Sequence, residues 1–276
     1  MLEYPEMYTI AEQMKKVLVG KTVIKGEIVK TNTNLFISEN ENQRYPLLYN
    51  GKVTDIDFCA PEIYICLDNG YGIIICQGGG KIFYNNPDEK LPEKYNIRFD
   101  FDDGSNLTYL MLLWSYGIFA MSNKDWQRRK ENNIRTQYQP LSDDTFDDYM
   151  NFIEAKKSRE KIPIKVFMSK YIAGVMSAYS AEILLYAGVF PEIPLGKINR
   201  DEHKRIYESI KKVLTSACEK GGKNSAYNLY KQKGNYPIMS ERRNLRKPCP
   251  ICGKPLEKTS VGGVTTYCSN CQVKHN

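Results

Sequence analysis

The chain has 276 residues, 42% hydrophobic and 26% charged, a balance that suits a folded protein with an ordinary apolar core. No run of about 18 apolar residues offers a membrane span, and the opening MLEYPEMYTI lacks the apolar stretch of a signal peptide, so a reducing cytoplasm is expected. Net charge is +7, and from residue 221 onward ten Lys or Arg face only two Asp or Glu, which points to a polyanionic partner for the last fifth.

Residues 6–19 set Met7, Ile10, Met14, Val17 and Leu18 at helical spacing, with Gly20 as a stop. From Lys21 to about Met121 the chain changes to short β-rich runs: TVIKGEIV, IYICL, GIIIC, KIFY, YNIRFDF and LTYLMLLW. Asp68-Asn69-Gly70 and Asp102-Asp103-Gly104 mark turns between them. An antiparallel β-sandwich with one N-terminal helix is the expected arrangement. Residues 122–140 are polar and without a clear period, and read as a linker. Ser142-Asp143-Asp144 then reads as the cap of a helix carrying Tyr149, Phe152 and Ile153. Further helices are expected from Pro163 to about Ala173 and from Ser180 to Ala187, the latter ended by Gly188. A last amphipathic helix buries Ile206, Ile210, Val213, Leu214 and Ala217 and stops at Gly221-Gly222. The fold class is therefore α+β.

The eight cysteines divide into two sets. Cys59, Cys66, Cys76 and Cys218 are scattered among apolar neighbours and read as buried thiols. Cys249, Cys252, Cys268 and Cys271 form C-x2-C-x15-C-x2-C. In this pattern each short knuckle brings two thiolates to one ion, so one structural zinc ion is expected. Two matched knuckles argue against a redox dithiol. So short a segment builds no core of its own, and metal binding would supply its folding energy. The intervening hairpin, from Lys254 to Tyr267, is flanked by Arg242, Arg243, Arg246 and Lys247, which suit phosphates.

Four stretches, in this order, resemble the formamidopyrimidine-DNA glycosylase and endonuclease VIII family. They are Met1-Leu-Glu-Tyr-Pro-Glu6; Gln139-Pro-Leu-Ser-Asp-Asp144; a set formed by Pro163-Ile-Lys165, Ile172-Ala-Gly174, Ala181–Gly188 and Gly221-Gly222; and the finger with Thr266-Tyr267-Cys268 and Cys271-Gln272. The resemblance implies a β-sandwich domain (1–130), a helix–two-turns–helix DNA-binding domain (131–240) and a four-cysteine zinc finger (241–276). It also implies a repair enzyme for damaged double-stranded DNA, with glycosylase and abasic-site lyase activity, working as a monomer. In that family the N-terminal proline amine attacks the sugar of a flipped-out nucleotide, and an adjacent glutamate handles protons.

Carried onto this chain, the catalytic set is Met1, Glu3 and Glu6. The DNA contacts are Lys165, Gly174, Ser177, Arg242, Arg243, Arg246, Lys247, Gly263 and Thr265. The chain departs from the family at four places. Leu2 stands at the proline, a residue near Pro61 at a phosphate-gripping lysine, Ser177 at an asparagine and Gly263 at the finger arginine. A leucine at the second position should keep Met1 in place, so the reacting amine would be that of Met1. Met111, Trp114 and Tyr116 are candidates to fill the gap left by a flipped base. Two further readings are a catalytically inactive binder of lesions or DNA structures, and a zinc-ribbon module for RNA or protein.

Overall fold

The computed structural model describes residues 1–28, 45–78, 80–111, 117–272 and 274. These form two compact units. The first joins Met1–Asn133 to Gly221–Asn235, and the second joins Ile134–Lys220 to Tyr236–Asn276.

The first unit opens with helix α1 (Tyr4–Leu18), which buries Met7, Ile10, Met14 and Leu18 as the spacing predicts, and Gly20 follows at φ 91°. Eight strands then build two four-stranded antiparallel sheets. One has the order β1 (Val23–Ile28), β6 (Ile97–Phe101), β7 (Asn106–Met111) and β5 (Gly80–Asn85). The other runs β2 (Val53–Cys59), β3 (Glu62–Leu67), β4 (Tyr71–Cys76) and β8 (Ile118–Ser122). Ile82, Phe99 and Leu107 of one sheet share a core with Ile63, Ile65, Ile73 and Ile75 of the other, as a sandwich requires. Gly70 and Gly104 take positive φ in the two expected turns. Of the gap-filling candidates, Trp114 and Tyr116 lie outside the described residues.

The sequence reading of 122–140 as a linker is corrected: Asn123–Thr136 is a helix, α2. Ser122 starts it, with Oγ accepting from the Asp125 N–H at 3.1 Å and donating to the Asp125 carboxylate. This is an S-x-x-D box that the sequence displays. The helix lacks an apolar stripe because one residue anchors it. Trp126 is fully buried against the outer face of the second sheet, stacked on Tyr64 at 5.0 Å and donating to Asp57 at 2.8 Å. Polar bonds finish the attachment: Lys130 to Asp57, and Arg129 and Asn133 to the buried Glu62. A sheet covered on both faces explains why GIIIC reads as a continuous apolar run. Ile73 and Ile75 face the sandwich core, while Ile74 and Cys76 face Trp126.

In the second unit the N-cap of α3 (Phe146–Ala155) lies one residue beyond the Ser142-Asp143-Asp144 run expected to supply it. Thr145 is the N-cap and pairs reciprocally with Asp148. Ser142 and Asp144 instead make a preceding turn whose Asp144 carboxylate accepts from Lys211 at 2.6 Å. Helices α4 (Ile164–Tyr171) and α5 (Ser177–Ala187) follow, and Gly188 caps the latter at φ 67°. Helix α6 (Arg200–Glu219), capped by Asn199, buries Ile206, Ile210, Val213, Leu214 and Ala217. A hairpin of β9 (Glu257–Thr259) and β10 (Thr265–Tyr267) completes the unit.

Because one side chain anchors α2, Trp126→Ala should cost about 3–5 kcal/mol, the usual loss for a large buried aromatic. Chemical denaturation should show a lower midpoint, and limited proteolysis should cut first within 123–136.

Candidate functional site

In the first unit, Glu3 and Glu6 are both buried at the start of α1. They form a reciprocal capping box in which the Glu3 N–H donates to Glu6 Oε2 at 2.9 Å. Just before it, the Leu2 N–H donates to the Gly78 carbonyl at 3.0 Å and the Leu2 side chain enters the core. Met1 stands one residue outside this anchor and is 62% exposed. The structure adds a residue that the sequence reading missed. Lys223, buried, places Nζ 2.9 Å from Glu6 Oε2 and 3.4 Å from Glu3 Oε1, and its backbone N–H donates to Glu6 Oε1 at 2.8 Å. Burial alone would lower the pKa of this ammonium, but the Glu3 and Glu6 carboxylates outweigh it and hold it above the ordinary lysine value. Gly222 takes φ 87°, and a Cβ there would meet Glu6 Oε1 at 2.8 Å, so the approach needs glycine. The one signal in the sequence was the Gly221-Gly222 pair immediately before this lysine.

In the second unit the chain turns at Ala173-Gly174 between α4 and α5, with Gly174 at φ 74°. Ser177 opens α5, where backbone N–H groups and the helix dipole favour anions. Lys165 does not present its charge to solvent. It is fully buried, and Nζ donates to the carbonyls of Val261, Gly262 and Gly263 at 2.9, 3.0 and 3.2 Å and to Ser177 Oγ at 3.2 Å. Lys165, one of the expected DNA contacts, thus has its ammonium bound to the inside of the finger turn. Thr265 is likewise turned inward, with its hydroxyl donating to the Ser240 carbonyl. Gly263 is exposed at φ 93°, and a Cβ there would lie 3.2 Å from Ser177 Oγ. Arg242, Arg243, Arg246 and Lys247 are all exposed, and Arg243 pairs with Glu241 at 2.7 Å.

Cys249, Cys252, Cys268 and Cys271 bring their sulfurs within 4.8 Å of one another, a cluster that could hold a metal ion. Cys249–Cys271 and Cys252–Cys268 Sγ separations are 3.9 and 3.5 Å. Tetrahedral thiolates at about 2.3 Å from an ion stand roughly 3.8 Å apart, so the donor set fits. Gln272 ties the second knuckle down by accepting from the Cys268 N–H and donating to the Val189 carbonyl, both at 2.8 Å. Glu182 of α5 does the same for the strand leading into the finger, accepting from the N–H groups of Met239 and Ser240.

No family model matches the chain. Its sequence is 27% identical to the formamidopyrimidine-DNA glycosylase of Mycoplasma mobile over 279 residues and 26% identical to that of Lactobacillus helveticus over 284, covering 99% of each chain. Among solved structures, a Lactococcus lactis Fpg mutant complexed with Fapy-dG DNA superposes with a TM-score of 0.83 at 20% identity. It covers 99% of this chain and all of that one. MutM (Fpg) from Thermus thermophilus gives 0.78 at 19%, with the same coverage.

Over 99% of its length the chain is similar in sequence to formamidopyrimidine-DNA glycosylases. It shares their α+β fold, and among its described residues no helix is long and apolar enough to cross a membrane. Its departures from the glycosylase pattern fall at defined places. Leu2 is a core residue, and Pro61 lies in the turn between β2 and β3. Ser177 and Gly263 meet at the finger turn, where the Ser177 hydroxyl donates to the Gly262 carbonyl at 3.3 Å.

Glu182 gives this fold a specific pH dependence. Burial pushes its carboxyl up to about 7 against the lowering effect of the Ser240 and Met239 donors, and its Oε1 has no hydrogen-bond partner among the described residues. The folded state therefore holds this proton more tightly than the unfolded chain, whose glutamates titrate near pH ~4.3. Its stabilising contribution is complete below that value and is lost as pH rises through about 7. Urea denaturation across this range should show wild type losing stability relative to Glu182→Gln as pH rises. A constant difference between the two would contradict this assignment.

Proposed function

We propose that this protein is a DNA glycosylase of base excision repair with abasic-site lyase activity, acting on damaged duplex DNA. The observation that carries the reading is the start of α1. Leu2 is anchored in the core, Glu3 caps the helix beside it, and Met1 projects into solvent one residue further out. An α-amine titrates at about 7.7–8.0, so a useful fraction is unprotonated at neutral pH. It would displace the base, which leaves protonated, from C1′ of the damaged nucleotide; opening of the C1′–O4′ bond, with O4′ protonated and kept on C4′, would then give the imine. Removal of a C2′ proton then breaks the C3′–O bond, and hydrolysis returns the amine. Glu3, the carboxylate nearest in sequence to Met1, would exchange the protons, while Glu6 would hold Glu3 in place through its N–H.

DNA would be held by the exposed Arg242, Arg243, Arg246 and Lys247, by backbone N–H groups near Gly174 and Ser177, and by the Gly263 turn. Lys165 and Thr265 would support that turn from inside. Cys249, Cys252, Cys268 and Cys271 would hold one structural zinc ion, which closes the finger and leaves no coordination position for chemistry. The protein would act as a cytoplasmic monomer, nucleoid-associated when bound to DNA. One feature favours a second reading, a lesion binder without chemistry. Leu2 stands where the relatives' pattern has its reacting proline, and the replacement amine starts one residue, about 3.8 Å, further out.

Borohydride trapping decides between the two, using duplexes with an abasic site or an oxidised purine or pyrimidine and protein whose free N-terminus is established by intact mass. The expected result is a covalent adduct mapping to Met1 and lost at least roughly a hundredfold in Glu3→Gln, the usual scale for a general acid–base group. Tight, salt-sensitive duplex binding with no adduct would make it a binder, and a preference for RNA would remove both readings. Cys268→Ser should lose metal and most duplex affinity together.

A further inference from the structure

We propose that Lys223 is a positioning residue for the reacting amine, fixing the first turn of α1 and hence the point from which Met1 reaches its substrate. This rests on the proposed lyase reading and extends it to a residue 222 positions from Met1 in sequence.

Two anchors bracket the N-terminus. On one side the Leu2 N–H is bound to Gly78. On the other, Lys223 Nζ lies against Glu6 at 2.9 Å and Glu3 at 3.4 Å. Two carboxylates buried in a single turn repel each other, and an ammonium shared between them removes that repulsion. The lysine is itself held by its surroundings. The segment that bears it is fastened to the same unit by Tyr84 N–H to the Leu229 carbonyl at 3.0 Å and Leu229 N–H to Gln13 Oε1 at 2.9 Å, and Ala226 and Leu229 are buried in the sandwich core. Without Nζ, Glu6 would keep its two backbone donors, the N–H groups of Glu3 and Lys223. Glu3 would keep the Glu6 N–H of the capping box, but both carboxylates would lose the ammonium that offsets their repulsion in the first turn of α1, so the disturbance should concentrate at Glu3 and the residues before it. Placement matters because a misplacement of about 1 Å can cost a reaction roughly a hundredfold.

The experiment compares wild type with Lys223→Met and Lys223→Arg in the full-length, metal-loaded protein. It reads the single-turnover rate of borohydride trapping on an abasic duplex, the duplex Kd, the adduct's position by peptide mapping, and amide exchange along α1. In Lys223→Met, trapping should slow by roughly a hundredfold while Kd changes less than about twofold. Exchange at the Leu2 and Glu3 amides should rise at least about tenfold, with Met14 and Leu18 unchanged. Lys223→Arg, which keeps the charge, should recover part of both losses. Unchanged trapping and exchange in Lys223→Met, or exchange rising equally along the whole helix, would overturn the proposal. So would an adduct on Lys223 itself, which would make it the nucleophile. If wild-type protein traps nothing, the lyase reading fails, and exchange at Leu2 and Glu3 still decides whether Lys223 anchors the turn.

Discussion

The buried carboxylate of Glu6 is the constraint on which the first unit's site depends. Its oxygens accept from the Glu3 N–H, the Lys223 N–H and the Lys223 ammonium. A buried carboxylate is tolerated only when its charge and lone pairs are satisfied, so this group fixes whatever satisfies it. It sets the first turn of α1, and it draws residues 221–235 back onto the sandwich after the chain has built the helices. The closeness of the packing leaves room only for glycine at position 222. The arrangement leaves Met1 at the edge of an otherwise rigid turn.

The second unit uses buried charge in the same way for a different purpose. Lys165 gathers three consecutive carbonyls of the finger turn, and Glu182 gathers two consecutive N–H groups of the strand entering it. Gln272 bridges a cysteine knuckle to the residue after the α5 cap. Each of these polar groups is inside, where an unmet hydrogen bond costs most, so each holds one geometry. The finger is thus fastened to the helices by its backbone, and its arginines and Lys247 remain in solvent. Metal would complete a frame whose other supports are already present.

Much of this was legible in the sequence where one residue type has one physical use. The C-x2-C-x15-C-x2-C spacing located the sulfur cluster, the Asp/Asn-Gly turns located two hairpins, and the periodicity of 206–217 located the buried face of α6. Reading failed where a segment's attachment is polar. Helix α2 has one buried hydrophobic residue and is otherwise held by ion pairs and hydrogen bonds, so periodicity has nothing to register, although its S-x-x-D start was visible. The cap of α3 was misplaced because Ser142, Asp144 and Thr145 are all capping residue types, and only the reciprocal bond to Asp148 distinguishes the last.

The sequence by itself determined the α+β class, the clustered cysteines, the basic C-terminal fifth and the two N-terminal glutamates. Each of these is a property of residue type and local spacing. Tertiary structure alone decided that Lys165 and Thr265 face inward, that Leu2 is an anchor, and that Lys223 joins Glu3 and Glu6. The reason is physical: a lysine has the same charge in any sequence, but whether it meets water, a carbonyl or a carboxylate depends on segments that chain order keeps far apart.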